Sequence, residues 1–558
     1  ASLANVSLSS AGSGAGAINF LDNSIVTDAS RNNLLMKQIE NMTTVDMNGT
    51  AIFNSSLAAW NQQYGTASNP NGGWIFNNTT VNASSADLTG VSFTNSTLTM
   101  GNGNLNISNN GSLTLSQSTV TVNNGSVSLS AADGGLDVSG TRLTTTGDIG
   151  LSASGAANLG SATLTTSGGG VSVAANGGAL TMTGGNVSAA GDIVLSAGGA
   201  ANLNNANLSS SNGAVSAIAD GGALTMTGGN ISAAKDVTVE SGAAVTLNNA
   251  IVTSTEGNVG LRSRWGALNL TGGNVNAAGD ITLRASGTNA GVATLNNAVL
   301  NSTGGKVSAS AEGGALTMNG GSVTAADDIA LSASGDTTLQ ATINSSAGNV
   351  SVASGGNITV QNATISSGEH HDISILGAGS TTGLVQILNS TLGSNGGRIT
   401  VDRNGSNGNA MTVLINASTL NASHVDGTAG DITLKAWNPN INLSAPAYVN
   451  SVRNGAAMLQ VSGGSQLTGN NILLETTLSG ANAVGLPVFI NGATLTALQD
   501  ITLKGIAGDG AAPVQTELRG AGNALNAGGN VTIDGPAGII LNGNISAGND
   551  IGLSADNG

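Results

Sequence analysis

One spacing governs what this chain can fold into: the decapeptide GGALTMTGGN begins at Gly177 and again at Gly221, a step of 44 residues. The step recurs at WGALNLTGGN, so Leu136, Leu180, Leu224 and Leu268 fall in one register. The next copy, GGALTMNGG, sets Leu316 48 residues after Leu268, and the four extra residues lie in ASGTNAGVA, between Ala285 and Ala293. An insertion confined to one place reads as a loop. Self-similarity at a fixed period of this length marks a solenoid, in which each unit buries its apolar face against its neighbours.

A shorter beat runs inside the long one. Ile193, Val215, Val237, Val259 and Ile281 are 22 apart, as are Leu195, Ala217, Val239, Leu261 and Leu283. Runs such as DVTVE and DITLR alternate apolar with polar residues, the period-2 pattern of a strand with one buried face. One turn reads as a strand DIVLSA, a break at Gly or Asn, a second strand ANLNNA and a third NLSSS. These features predict an all-β chain, a right-handed parallel β-helix (β-solenoid) of about 22 residues per turn with three short strands per turn; the hand follows from the chirality of parallel crossover connections. Turns rising about 4.8 Å each would make a rod on the order of 100 Å long. Leu159, Leu203, Leu247 and Leu295 are expected to line up inside it. Asn204, Asn248 and Asn296 are expected to stack every second turn and exchange amide hydrogen bonds.

Composition agrees with stacking. The chain has 84 Gly and 2% aromatic residues, with 39% hydrophobic residues. Small and β-branched side chains suit a narrow core, and Gly suits corners that need positive φ. With no Cys, neither disulfides nor thiolate metal sites hold the fold. A net charge of −16 argues against nucleic acid or anionic bilayers as partners. No apolar run approaches the roughly 20 residues that span a bilayer, so no membrane insertion is expected. The start ASLANVSLSS and the end GNDIGLSADNG suggest a processed piece of a longer rod.

Register divides the chain into three. Residues 1–130 read as β-helix turns interrupted by excursions at about 28–46 and 58–76. Residues 131–356 carry the regular 44-residue double turn. Residues 357–558 are degenerate turns with turn signals at Asp431, Asp500 and Asp550.

Candidate functional residues stand out where the repeat breaks. Six of the eleven aromatic residues lie between Phe53 and Phe93, and Trp60, Tyr64 and Trp74 are expected on a loop that leaves the stack, where flat rings can lie against sugars. Packing of the same rings as a miniature core is the competing expectation. In RSRWG, Arg262, Arg264 and Trp265 replace small residues of neighbouring turns and offer a basic-aromatic patch to an acidic glycan or a partner protein. GEHHDIS gathers Glu369, His370, His371 and Asp372; adjacent strand residues face opposite ways, so the pair of His reads as a polar corner and not as a metal site unless a turn reorients them. His424 and Asp426 form a similar pair in SHVDG. Asp148, Asp192, Asp236, Asp280 and Asp328 precede strands turn after turn, which suits corner caps better than catalysis. No metal, no cofactor and no catalytic residue is expected.

The unit GDIVLSAGGAANLNNANLSSSNG, from Gly191, resembles the repeats of the two-partner secretion exoproteins of bacteria, the filamentous haemagglutinins and high-molecular-weight adhesins, best over Asp133 to Asp328. The resemblance implies a right-handed β-helix exported through an outer-membrane two-partner secretion transporter and displayed at the bacterial cell surface as a secreted virulence adhesin. It also directs attention to Asn-X-Ser/Thr sites, since some adhesins of this class are glycoproteins: Asn5, Asn41, Asn77, Asn78, Asn106, Asn186 and Asn230 are the candidates. Chance alone gives a comparable number in a chain so rich in Asn, Ser and Thr. NPNG at Asn69 to Gly72 is similar to the family's Asn-Pro-Asn secretion motif but follows GTAS in place of an apolar strand, so the secretion domain is not assigned. The expected function is an adhesin fragment that attaches to host-cell or matrix glycans or protein receptors. A structural stalk from a contact-dependent toxin or biofilm-matrix exoprotein is the alternative, followed by a polysaccharide-degrading β-helix enzyme.

Overall fold

The computed structural model describes residues 7–8, 44–47, 74–77, 80–83 and 85–555, apart from 289, 378–383, 404–411, 439–458, 479–487, 508–514 and 536–537. Every element among them is a strand or a turn, and the chain is a right-handed parallel β-helix of about 23 residues per turn. No helix long and apolar enough to cross a membrane occurs among the described residues. Two compact units, Ala1–Arg264 and Trp265–Gly558, are taken in turn.

In the first unit, one turn consists of a five-residue strand Ile193–Ala197, a two-residue strand Ala201–Asn202 and a four-residue strand Asn207–Ser210. Each pairs in parallel with its equivalent one turn on: Ile193 with Val215, Ala201 with Leu224, Asn207 with Asn230. Along Ile193–Ala197 burial alternates, with Ile193, Leu195 and Ala197 inside. The expected ladder member Leu203 is fully buried, as are Leu159 and Leu247. Hydrogen-bonded backbones fix the stacking, and the aliphatic ladder removes each turn's inner face from water.

The 44-residue period has a local cause. Once per turn the chain bends through a left-handed residue: Asn95 and Gln117 come first, and from there the residue is Gly140, Ser161, Gly184, Asn205, Gly228 and Asn249 in succession. Glycine alternates with Ser or Asn, the types that tolerate positive φ. Where Gly184 bends, Gly185 also has φ of 83° and its Cα faces the Ala162 carbonyl so closely that a Cβ would lie 2.6 Å from the oxygen. The odd and even turns therefore bend differently, although their long strands keep one register.

Asn204 meets a neighbour sooner than expected. Its side-chain oxygen accepts the Thr227 N–H, one turn away, at 2.9 Å. Asn residues two turns apart are separated by about 9.6 Å, too far for amides to meet, so the polar ladder runs through the intervening turn.

The second unit continues the plan. The equivalent of the Leu ladder, Leu295, is buried, and Asn319 Nδ2 donates to Asn296 Oδ1 of the adjacent turn at 3.0 Å. Left-handed corners include Asn297, Gly320, Asn362, Asn389 and Ala417. Ile399, Ile432 and Ile472 pair in register although 33 and 40 residues separate them. The strands hold the stack, and extra residues are accommodated between them.

Arg403 is the largest fully buried side chain among the described residues of this unit, inside a core built mainly from aliphatics. Gly377, its partner on the preceding strand, leaves the space: a Cβ there would sit 2.3 Å from Arg403 Cδ. The guanidinium donates to the Gly356 carbonyl at 3.2 Å, and burial pulls its pKa below the ordinary arginine value.

Candidate functional site

The residues expected to bind a ligand are described only in part. Trp60 and Tyr64, like Asn5, Asn41 and Asn78, lie outside the described residues. Trp74 opens the strand Trp74–Asn77, paired in parallel with Val91–Thr94, so its backbone belongs to a ladder and not to a free loop; Asn77 ends the same strand. The interval 28–46 likewise contains the start of a strand, Thr44–Met47, which pairs with Thr80–Ala83.

Arg262 and Arg264 belong to the first unit, and both reach the carboxylate of Glu240, at 3.4 and 2.5 Å. Arg264 also contacts Asp220 at 3.0 Å. The hydrogen bond to Glu240 raises the Arg264 pKa. Two cations facing two carboxylates leave little net charge for an acidic ligand. Trp265, in the second unit, is 74% exposed. An open depression of about 480 Å³ on the first unit is lined by residues including Ser112, Asp137, Asn158 and Thr181. Its Asp137 accepts from Asn158 Nδ2 and from the Ser139 N–H, the bonds of a polar corner. Of the sequons with described side chains, Asn106 is exposed, whereas Asn186 and Asn230 are half-buried.

The repeated Asp residues are corner caps. Asp148 Oδ1 accepts the Gly170 N–H, Asp192 that of Ala214, Asp236 that of Asn258, Asp280 that of Lys306 and Asp328 that of Asn349, at 2.8–2.9 Å. Each satisfies a backbone donor one turn ahead, at the point where the chain enters a long strand.

One group of side chains converges that the sequence left apart. The corner Ser367–Asp372 precedes the strand Ile373–Gly377, and the corner Ala422–Asp431 precedes Ile432–Asn438, two turns later. In the first, His370 has a left-handed backbone with φ of 59°, so the rule that strand neighbours face opposite ways does not govern it. His371 turns away and its Nδ1 bonds the Glu369 carbonyl at 2.8 Å. In the second corner an antiparallel bridge between Ser423 and Ala429 folds a small hairpin with Val425 99% exposed. Its base presents His424, whose ring centroid lies 5.1 Å from that of His370.

Gly396 makes this meeting possible. It lies on the turn between the two corners with φ of 92°, and a Cβ there would come 2.7 Å from His370 Nδ1 and 3.2 Å from His424 Cβ. Glu369, His370 and His424 then place one potential ligand atom each within 4.8 Å of one another. Glu369 Oε1 is 3.4 Å from His424 Nε2 and 3.7 Å from His370 Nε2. Asp426 Oδ1 lies 2.8 Å from His424 Nδ1, and its other oxygen 4.0 Å from His370 Nε2. Hydrogen bonds from the Thr428 hydroxyl and N–H, then from His424, hold the Asp426 carboxyl well below the usual carboxylate range. Spacing could not reveal the cluster, since 54 residues separate His370 from His424. The available signal was that the His370–His371 pair and His424 each precede a ladder Asp, Asp372 and Asp431, and so occupy one corner of the helix.

The described residues thus define a parallel β-helix with a polar outer face and a corner where Glu369, His370 and His424 converge. Compared with protein-family models, curated proteins and solved structures, the chain finds no match.

Proposed function

We propose that the chain is part of a secreted bacterial surface adhesin, a β-helical stalk that attaches to host-cell or matrix glycans or to a protein receptor without catalysis. The observation that supports it is the parallel register within each unit: buried aliphatic ladders fix the backbone, while outward positions carry small polar residues that vary without cost to the core. Such a scaffold presents exceptional side chains at defined places. Trp265 is the exposed ring among the described residues best suited to an apolar sugar face. Export through an outer-membrane two-partner secretion transporter is part of this reading and rests on the repeat resemblance.

A glycan array and adherence to cultured epithelial cells test it, with Trp265→Ala and a Trp60→Ala, Trp74→Ala double variant beside the parent chain. Loss of binding in either variant supports attachment through that ring. The pairing of Arg262 and Arg264 with Glu240 and Asp220 favours the second reading, a passive stalk. Absence of binding by the parent chain would select that reading.

A further inference from the structure

We infer that Glu369, His370 and His424 form a binding site for a zinc-type divalent transition metal, with Asp426 as its orienting carboxylate. The distances carry the inference. Zinc binds imidazole nitrogen and carboxylate oxygen at about 2.0–2.2 Å in tetrahedral geometry, which sets neighbouring ligand atoms about 3.3–3.5 Å apart. The separations from Glu369 Oε1 are 3.4 Å, on that edge, and 3.7 Å, slightly beyond it, and the three donor atoms all lie within 4.8 Å of one another. The donor set also selects the metal: two imidazoles and one carboxylate suit zinc, copper or nickel, whereas calcium and magnesium take oxygen shells.

Asp426 supplies what a coordinating imidazole needs. Its Oδ1 lies 2.8 Å from His424 Nδ1 and its N–H 3.3 Å from the same nitrogen, contacts that orient the ring with Nε2 towards Glu369. Thr428 in turn anchors the carboxylate through its N–H and hydroxyl at 2.8 and 2.6 Å. Glu369 and His370 are about half or more exposed and His424 is 15% exposed, so the ion enters from solvent while one ligand sits on the buried side. Three protein donors leave a fourth position for water or for a donor from another molecule. Bound there, the metal ties the Ser423–Ala429 hairpin to a corner two turns away, across Gly396.

Zinc titration of the full chain against a chromophoric chelator, with X-ray absorption on the loaded protein, tests the site. The expectation is one equivalent of zinc with two imidazoles in its shell and no competition from a large excess of calcium. His370→Ala and Glu369→Gln, both at exposed corner positions, should lower affinity at least 100-fold and about 10–100-fold, and Asp426→Asn about 10–100-fold. His371→Ala should bind like the parent. Circular dichroism of each variant separates loss of ligands from loss of fold. Absence of stoichiometric zinc in the parent, or affinity that His370→Ala leaves unchanged or that His371→Ala lowers as much, would overturn the assignment.

Discussion

The corner that precedes each long strand exists in two versions. Before Ile193 it is three residues, Ala190 to Asp192, and holds little beyond the capping Asp. Before Ile373 it is six residues, and before Ile432 it is ten, with the capping Asp kept last in both. The difference teaches where function can arise in a solenoid. Pairing and core burial constrain the strands and the cap, while residues inserted ahead of the cap project outward and are free to differ. Corners of successive turns stack, so insertions made separately in the sequence meet in space.

Breaking the regular version should have the largest effect. Leu203 is fully buried, in register with the buried Met182 and Met226 of the adjoining turns, so Leu203→Ala should cost about 2–5 kcal/mol. Hydrogen exchange would localise the loss to the turns around residues 180–230, since each repeat depends on its neighbours. Uniformly retained protection there would contradict a ladder core.

The expanded version breaks at Gly396. Alanine there would combine a strained φ with contact against the His370 imidazole and the His424 Cβ, costing about 1–3 kcal/mol by thermal or urea denaturation. Gly427 has nearly the same φ, 90°, but open space around its Cα. Gly427→Ala should therefore lose only the conformational part, about 1 kcal/mol. Equal losses at the two sites would mean that the packing of His370 and His424 over Gly396 has no energetic weight.

The cap that both versions share gives a smaller effect. Asp192→Ala removes the acceptor of the Ala214 N–H at a corner where water can replace it, so about 0.5–1.5 kcal/mol should be lost. Asp192→Asn should be nearly neutral. Asn349, Asn471 and Asn530 already fill the same role elsewhere, accepting from the N–H groups of Asp372, Asp500 and Asp550. A large loss in the Asn variant would show that charge, and not hydrogen-bond geometry, matters at this corner.

Much of the regular version was legible in the sequence because its physics repeats. The 22-residue beat of Ile193, Val215 and Val237 is the register of the long strands, and the capping role of Asp192 follows from its recurrence. The Asn side chains recur every second turn but bond the adjacent turn, so period in sequence is not neighbourhood in space. The cluster of Glu369, His370 and His424 was illegible for the opposite reason. It occurs once, and it depends on a glycine, a left-handed His and a hairpin whose combined geometry no periodicity announces.

The smallest effect tests the outward face of the long strands. Asp402, Lys435, Glu475, Lys504 and Asp534 pair in succession, so charge alternates along that ladder. Lys435 Nζ lies 3.4 Å from Glu475 Oε1. Cross-strand charge pairs contribute roughly 0.2–1 kcal/mol, and partial exposure places Lys435→Gln in that range. The pH dependence gives the sign. Burial raises the Asp402 pKa, Lys435 opposes the rise and Glu475 adds to it. A carboxyl whose folded pKa is raised binds its proton more tightly when folded, so its contribution to stability falls as pH climbs from the unfolded value, about 3.9, through the folded one. Removing Lys435 widens that gap, and at neutral pH it also leaves Asp402 and Glu475 without the cation between them. Lys435→Gln should therefore be close to neutral near pH 3 and destabilising at pH 7, with the pH 7 loss shrinking as salt is added. Urea denaturation at both pH values measures it, and a loss independent of pH and salt would assign Lys435 a packing role through its aliphatic stem in place of an electrostatic one.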